Sequence, residues 1–358
     1  MSYEDIRAIR DFLYNLISIR TVSGEESAGI KFLVRVFSEL GISEIATQFV
    51  TEDSLNLIIN ATKSPDLAII AHIDTIPPLV PARILDEYTV AGTGAVDDKG
   101  SIAAIYYIFY KNFELPSNVS IAIVSNEENT GSGCLKYLES YHPKRALVLE
   151  PTDLRLSLSS TGFVEILFTI SGVKRHPDFF VLVDNYEEKE DPVRRAIRLL
   201  NDLSIELQKI KAKFSITYIS AGDKDLRFTT PDSCRLVVNI PIQPGFTVSE
   251  VLKIIKHISM KHKVHYEVLD LSDPHTMNDS TFLQILKKSY KEVFRKDPEI
   301  FVLPSWTDAT TLMEKGVPAA IFGPGKPEIA HTVFEKVDVR DIIQAGKYLM
   351  ALLDYIRK

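Results

Sequence analysis

The sequence has few cysteines and no long apolar run. Its 358 residues include two cysteines, Cys134 and Cys234. Two thiols cannot cross-link a fold of this size, and they lack the spacing of a thiolate zinc site. The longest apolar runs, such as 146–149, fall far short of the roughly 18 residues that a membrane span needs. The segment Met1–Arg20 lacks the unbroken apolar stretch of a secretory signal. We therefore expect a protein of the reducing cytoplasm with no membrane partner.

Positive charge is scarcer than negative charge. The chain carries 41 Lys and Arg against 48 Asp and Glu, a formal net charge of −7. Nucleic-acid binding relies on clustered basic residues that neutralise phosphates, so we expect no nucleic-acid partner. Hydrophobic residues make up 45% of the chain and charged residues 25%, which is typical of a soluble globular protein. The length suits two domains.

Helices and strands are predicted to alternate in the N-terminal part of the chain, as far as Ser160. Short apolar runs rich in Ile, Val and Leu are the predicted strands, at 66–71, 119–125, 145–149 and, late in the chain, 318–322. Helical patterns cover 1–20, 99–111, 133–141 and 339–356. The capping-box pattern Ser23-Gly24-Glu25-Glu26 predicts the start of a further helix that runs to Gly41. This alternation predicts an α/β fold with a mostly parallel twisted sheet, covered on both faces.

The middle of the chain follows a different pattern. From about residue 162 the predicted order is strand, helix, strand, strand, helix, strand, over 163–171, 192–210, 213–220, 234–240, 248–262 and 264–269. The order βαββαβ is typical of the ferredoxin-like fold. We therefore predict a domain of residues 162–271 inserted into a larger sheet domain, which is formed by 1–161 and 272–358.

Acidic residues and histidines stand at the ends of the predicted strands. In chain order, those that end or follow a strand are His72, Asp74, Glu127, Glu128, Glu150 and His331. Parallel strands bring their carboxyl ends to one edge of a sheet, where open α/β folds place their sites. Asp97 precedes the helix predicted near residue 99, at its positively polarised end. The pattern predicts that these side chains meet.

Each of these residues has an ordinary explanation when it is taken alone. A single histidine such as His72 is usually a surface or core residue, Glu127-Glu128 a solvated turn, and Asp97-Asp98 a helix N-cap. Five such positions at five strand or loop ends are harder to explain in this way. Imidazole and carboxylate donors suit Zn²⁺ or a similar divalent ion. The predicted metal ligands are His72, Asp97, Glu128, Glu150 and His331.

Five motifs resemble those of a known family. In chain order they are Ala71-His72-Ile73-Asp74-Thr75, Gly92-Thr93-Gly94-Ala95-Val96-Asp97-Asp98-Lys99-Gly100, Asn126-Glu127-Glu128, Glu150-Pro151-Thr152 and Ala330-His331-Thr332. Their order and spacing resemble the M20 metallopeptidase family over nearly the whole chain. Within that family, the sequence is similar to the branch of acetylornithine deacetylase, acetyl-lysine deacetylase and succinyl-diaminopimelate desuccinylase.

The resemblance implies a site for two divalent metal ions, with Zn²⁺ expected and Co²⁺ able to substitute. Asp97 would bridge the two ions. His72 and Glu150 would complete one site, and Glu128 and His331 would complete the other. The family pattern also implies a cis peptide bond after Asp97.

The resemblance further implies catalytic roles outside the ligand set. Asp74 would orient His72 by accepting its second ring N–H, and Glu127 would be the general base. His176 would reach into the active site of a partner subunit and stabilise the oxyanion, although a solvated loop histidine is the alternative. The insert would then be a lid and dimerisation domain, and the enzyme a homodimer.

Three positions depart from the family pattern where relatives recognise substrate. Phe228 stands where relatives carry an asparagine, and Pro241 where they carry the arginine that grips a substrate carboxylate. Trp306 replaces a glycine. Either Arg227 or Arg235 could supply a displaced cation. The residues predicted to bind substrate are Arg227, Trp306 and Gly323.

Several functions remain open at this point. The first is hydrolysis of an amide bond by activated water, in the deacylation of an N-acyl amino acid such as acetyl-lysine or acetylornithine during amino-acid biosynthesis. In part of this branch the acyl group belongs to a small acidic carrier protein, which would then be a partner. A carboxypeptidase or aminopeptidase of the same family is the main alternative. A metal-binding relative without catalysis is another, and a metal-free α/β domain with a buried acidic cluster is the last.

Overall fold

The computed structural model describes residues 1–178 and 191–357. These residues form two compact units, one of Met1–Ser159 with Thr276–Lys358 and one of Ser160–His275. Within the described ranges, no helix has both the length and the apolar character that crossing a membrane requires.

The described helices and strands are as follows. Helices cover Tyr3–Ile17, Ser27–Glu39, Lys99–Tyr110, Glu127–Thr130, Ser132–Ser140, Pro192–Gln208, Val248–His262, Ser280–Phe294, Asp308–Glu314 and Val339–Arg357, and a 3-10 turn covers Pro327–Ile329. The strands are β1 (Ile45–Phe49), β2 (Leu55–Ile59), β3 (Leu67–His72), β4 (Arg83–Ile84), β5 (Thr89–Ala91), β6 (Val119–Val124), β7 (Ala146–Val148), β8 (Leu156–Ser160), β9 (Gly162–Ser171), β10 (Ser215–Ala221), β11 (Ser233–Ile242), β12 (His265–Ser272), β13 (His275–Thr276), β14 (Ile300–Leu303), β15 (Ala319–Ile321) and β16 (Lys336–Asp338).

A large sheet forms the centre of the first unit. Its strand order is β1-β2-β6-β3-β7-β15-β8-β13, and β14 pairs with β8. The four central strands, β6, β3, β7 and β15, run parallel, whereas β1 and β2 join antiparallel at one side. Every residue of these four central strands is buried, because helices cover both faces. The predicted α/β fold with a mostly parallel sheet is confirmed.

Two apolar cores lie on the two faces of this sheet. Ile69 belongs to a core with the helices at 3–17, 99–110 and 339–357, whereas its neighbour Ile70 belongs to a core with those at 132–140 and 308–314. Successive residues of a strand point to opposite faces, so an unbroken apolar run fills both cores. Packing on both faces therefore fixes the positions of the carboxyl ends of the strands.

In the described part of the second unit, a four-stranded antiparallel sheet packs against two helices. Its strand order is β10-β11-β9-β12, with β9 and β11 paired over their full length. Alternate strand residues such as Phe168 and Val238 are buried against Leu203 and Ile255 of the helices at 192–208 and 248–262. The order along the chain and across the sheet is that of the ferredoxin-like fold.

The predicted capping box at Ser23 is wrong. The helix begins at Ser27, and its N-cap residue, Glu26, makes no side-chain capping bond. Instead, the Ser23 hydroxyl donates to Asp74 Oδ2 at 2.8 Å. The Glu26 carboxylate accepts from the Gly24 N–H and from the Asn126 N–H. The first and last side chains of the motif, Ser23 and Glu26, do not cap each other's backbone, because Asp74 and Asn126, which are distant in the sequence, compete for them.

Candidate metal centre

Four segments bring acidic or imidazole side chains to one edge of the large sheet. His72 is the last residue of β3, Glu127 and Glu128 begin the short helix after β6, and Glu150 lies two residues beyond β7. Since β6, β3 and β7 are parallel neighbours, their carboxyl ends lie side by side. His331 lies in the loop that leads from β15 to β16.

Two sets of donor atoms converge there, and they share Asp97. In the first set, His72 Nε2 lies 2.8 Å from Asp97 Oδ1 and 4.0 Å from Glu150 Oε2. In the second set, His331 Nε2 lies 3.1 Å from Asp97 Oδ2 and 2.8 Å from Glu128 Oε1. Within each set of three, the donor atoms lie within 4.8 Å of one another. Each oxygen of Asp97 therefore faces a different set, as a bridging ligand requires.

The charges of the cluster fit two divalent cations. Burial, together with the charge of Asp97, raises the pKa of Glu150 well above its usual value, and burial raises the pKa of Glu128. Burial opposes ionisation of Asp97 as well, but the imidazoles of His331 and His72 lower its pKa. Buried carboxylates this close need a positive partner. Nitrogen and oxygen donors are those that Zn²⁺ and similar ions take.

Glu127 differs from its neighbour Glu128 in its contacts. Its side chain is buried, with 8% exposed, and its carboxylate has no hydrogen-bond partner among residues 1–178 and 191–357. Burial raises the pKa of Glu127 well above the usual value for a glutamate, and nearby Asp308 adds to the effect. A carboxylate with unused lone pairs and a raised pKa suits proton transfer near neutral pH.

Asp74 connects two of the strand ends. His72 Nδ1 lies 3.1 Å from the backbone oxygen of Asp74 and 3.5 Å from its Oδ1. The carboxylate also accepts the backbone N–H groups of Glu127 and Glu128, both at 3.0 Å. A second hydrogen bond to a ligating histidine fixes its ring orientation and tautomer. Asp74 thus holds His72 and the Glu127-Glu128 segment in one arrangement.

The backbone at Asp97 has the peptide geometry that the family resemblance implies. The bond between Asp97 and Asp98 is cis. Both carboxylate oxygens of Asp98 are buried without a hydrogen-bond partner in the described part of the chain, and burial raises the pKa of Asp98 well above its usual value. A neutral Asp98 would therefore avoid adding a further charge to the cluster.

The predicted substrate residues are distributed over both units. Trp306 lies in the first unit, beside Gly131 at the end of the short helix that carries Glu128. The indole is so close that a Cβ on Gly131 would lie 2.5 Å from Trp306 Cη2. Gly323 is buried, and its peptide groups bond to Thr152 within the protein. Its contacts therefore support a role in packing.

The remaining predicted residues, His176 and Arg227, lie exposed in the second unit. Phe228 is 73% exposed. Arg235, rather than Arg227, lines a cavity of about 220 Å³ in this unit, together with Lys174. The pairing of β11 with β10 ends at Asn239, and Pro241 lies beyond it. No hydrogen bond to β10 is therefore lost through the N–H that proline lacks.

Three buried carboxylates near the ligands escape detection in the sequence. They are Glu26, which the sequence pattern assigns to a cap, and Asp308 and Glu335, to which it assigns no role. The Glu335 carboxylate accepts the backbone N–H groups of Gly94 and His331. An acidic residue four positions after His331 was the available signal, but a solvated loop explains it equally well.

Metal binding should release protons. Hydrogen bonds to the carboxylates of Asp97 and Glu128 raise the pKa of His331 to about 10, so the metal-free imidazole is protonated at neutral pH. A cation can bind His331 only after that proton leaves, so zinc affinity should rise with pH between about 6 and 9.

Calorimetric zinc titrations at about pH 7.5, in two buffers of different ionisation enthalpy, measure this release. The chelator-treated protein should give buffer-dependent heats that correspond to at least about one proton per chain. The variant His331→Asn should release fewer protons. Equal heats in the two buffers would contradict the predicted release.

Several known proteins are similar to this chain in sequence or in fold. The chain is 25% identical over 358 residues to the LysW-lysine/LysW-ornithine hydrolase of Sulfurisphaera tokodaii, covering 95% of this chain and 93% of that protein. Among solved structures, a tripeptidase from Staphylococcus aureus matches with a TM-score of 0.81 at 16% identity, covering 100% of this chain and 99% of that one. A dinuclear metal binding peptidase of the M20 family from Bacillus subtilis matches with a TM-score of 0.68 at 16% identity, covering 99% of each chain.

The two structural matches support the fold. The model of peptidase family M20/M25/M40 matches residues 68–355, which is most of the chain and includes all five predicted metal ligands. This chain therefore belongs to peptidase family M20/M25/M40 and is a metal-dependent amidohydrolase.

Proposed function

We propose that this protein is a two-zinc hydrolase that frees a lysine- or ornithine-type amino acid from an N-acyl linkage. The observation that carries the proposal is the pair of donor sets joined through Asp97, beside a Glu127 carboxylate that has no hydrogen-bond partner among the described residues. His72 and Glu150 would hold one ion with Asp97, and Glu128 and His331 the other.

The chain's own residues suit amide hydrolysis without a covalent intermediate. When bound, a pair of divalent cations would acidify water and polarise the scissile carbonyl. Glu127 takes a proton from the attacking water and returns it to the departing amine nitrogen. Burial raises the pKa of Glu127 and so favours the protonated form that the second transfer needs. The shared Asp97 carboxylate supplies the negative charge that two close cations require.

Replacing the proposed base should abolish turnover and leave the metals bound. The variant Glu127→Gln keeps the shape of the side chain but removes its basic carboxylate, so kcat should fall by at least about 100-fold. Metal content, measured by mass spectrometry on the same samples, should remain at two ions per chain. The matched variant Glu128→Gln should instead lose metal, because Glu128 is a predicted ligand. Near wild-type turnover by Glu127→Gln would exclude Glu127 as the base.

The substrate proposal rests on the relative and on the family. The relative's name describes lysine or ornithine joined to LysW, and we propose a carrier-protein-linked amino acid of this type for the present chain. Phe228 and Pro241 leave this protein without the asparagine and arginine of the family pattern, whereas Trp306 places an indole beside the segment that carries Glu128. Because these side chains differ from those with which relatives recognise substrate, we propose a substrate other than a free N-acetyl amino acid.

A substrate panel separates the candidate functions. We expect lysine or ornithine linked to LysW to give a kcat/KM at least about tenfold above those of acetyl-lysine, acetylornithine and dipeptides. Zinc-loaded wild-type protein is used, and release of the free amino acid is measured. A preference for peptides would favour the carboxypeptidase or aminopeptidase. Two bound ions with no turnover of any amide would favour the non-catalytic alternative.

We also propose that the enzyme is a homodimer in which the second unit serves as lid and dimerisation domain. Among the described residues, β10 is an edge strand of the second sheet, and all seven of its residues are exposed. Its exposed side chains include Ile216, Tyr218 and Ile219. An exposed edge strand with apolar side chains favours pairing with another chain. His176, exposed in the same unit, would then complete the site of the partner subunit.

Mixed dimers test the role of His176. A heterodimer of a His176→Ala chain and a Glu127→Gln chain, isolated through two different tags, has one site with both native residues if His176 acts across the interface. It should show about half of the wild-type activity, whereas each variant homodimer should be nearly inactive. An inactive heterodimer would mean that His176 acts within its own chain, and an active His176→Ala homodimer would mean that His176 is not needed.

A further inference from the structure

Glu335 is a buried carboxylate beside the proposed metal centre. It precedes β16, four residues after His331, and only 4% of it is exposed. Its Oε2 accepts the backbone N–H groups of Gly94 at 3.0 Å and Val96 at 3.2 Å. Its Oε1 accepts the backbone N–H of His331 at 3.2 Å. One side chain thus holds two segments that are distant from each other in the sequence.

Both of those segments carry predicted ligands. Val96 directly precedes Asp97, and the Glu335 backbone oxygen also accepts the N–H of Gly92 at 3.2 Å, so the whole turn before Asp97 is attached to Glu335. His331 itself has a φ of +61°, a left-handed conformation that residues other than glycine rarely adopt. Such a conformation persists only where its surroundings fix it, and the N–H of His331 is fixed by Glu335.

Two members of the first donor set, His72 and Glu150, have a different support. His72 is held by Asp74 at the end of β3. Glu150 follows β7, where the Leu149 N–H bonds to the backbone of Ile70 in β3. Asp97 belongs to both sets, and besides Glu335 its segment is held by the helix that follows, where the Asp98 backbone oxygen accepts the N–H groups of Ser101 and Ile102. Glu335 therefore fixes the placement of His331 relative to Asp97, whereas the sheet itself fixes His72 relative to Glu150.

We propose that Glu335 is a positioning residue that selectively supports the metal position formed by Asp97, Glu128 and His331. The inference rests on the proposed two-metal function. A carboxylate is required because each of its two oxygens accepts from a different segment. A glutamine has a single oxygen, and its NH₂ group would face backbone N–H donors on the other side. The variant can therefore hold one segment but not both.

The variant Glu335→Gln tests this selectivity. Metal-free protein is titrated with zinc in competition with a chelator of known affinity, and each binding constant is measured. We expect wild type to bind two ions, and the variant to keep the affinity of one ion within about threefold while the other weakens by at least about tenfold. The variant His331→Asn identifies which constant belongs to the affected position, and Glu150→Gln identifies the other.

A matched control removes the same charge without the same contacts. Glu328 is exposed on the same loop, so Glu328→Gln should leave both zinc affinities unchanged. Thermal melting of each metal-free variant shows whether it is folded. If Glu335→Gln does not fold, hydrogen exchange of the wild-type metal-free protein replaces it. The amides of Gly94, Val96 and His331 should then be protected, because a buried carboxylate accepts from each.

The outcomes distinguish the two proposals. A wild-type protein that binds fewer than two ions would overturn the two-metal function. Two ions in wild type with unchanged affinities in Glu335→Gln would overturn the role of Glu335 alone. Equal weakening of both positions would also overturn it, because the proposed support is selective. Amides that exchange as fast as those of exposed loops would show that the carboxylate does not hold these segments.

Discussion

The division of the Asp97 carboxylate between two histidines is the interaction on which the site depends. Its Oδ1 lies 2.8 Å from His72 Nε2, and its Oδ2 lies 3.1 Å from His331 Nε2. Glu128 and Glu150 complete the two sets, and like charges this close repel strongly in a buried environment. The arrangement therefore needs positive charge between the carboxylates. Protons on the imidazoles can supply it, and divalent cations supply more of it.

Three further buried carboxylates hold the segments that carry the predicted ligands. Glu26, Asp74 and Glu335 each accept backbone N–H groups from loops that carry or adjoin a predicted ligand. Hydrogen bonds to a charged acceptor are stronger than neutral ones, and a buried N–H without a partner is costly. These hydrogen bonds fix loop segments that strand pairing does not hold. Burial opposes ionisation of Asp74, but hydrogen bonds from His72 and Ser23 lower its pKa, so this carboxylate adds negative charge beside the site.

Much of this organisation is readable from the sequence because it depends on burial. The strands β3, β6, β7 and β15 are mostly apolar since both faces of the sheet are covered, and their ends mark where His72, Glu127 and Glu150 stand. The strands β4, β5 and β16 are short and contain polar residues such as Arg83, Thr89 and Lys336, so no apolar run marks them. Local sequence patterns did not predict the contacts of side chains whose hydrogen-bond partners are distant in the sequence. Ser23 bonds to Asp74 and Glu335 bonds to Gly94, at separations of 51 and 241 residues.

The position of the second unit within the chain has a consequence for biosynthesis. His72, Asp97 and Glu150 all precede residue 160, whereas His331 follows the whole unit of Ser160–His275. A ribosome therefore completes the donors of one set before it begins the second unit, and those of the other set only after that unit has been made. Domains generally fold as units, from the N-terminus onward, during synthesis. The two donor sets thus become complete at different stages of translation, and the set that contains His331 is the later one.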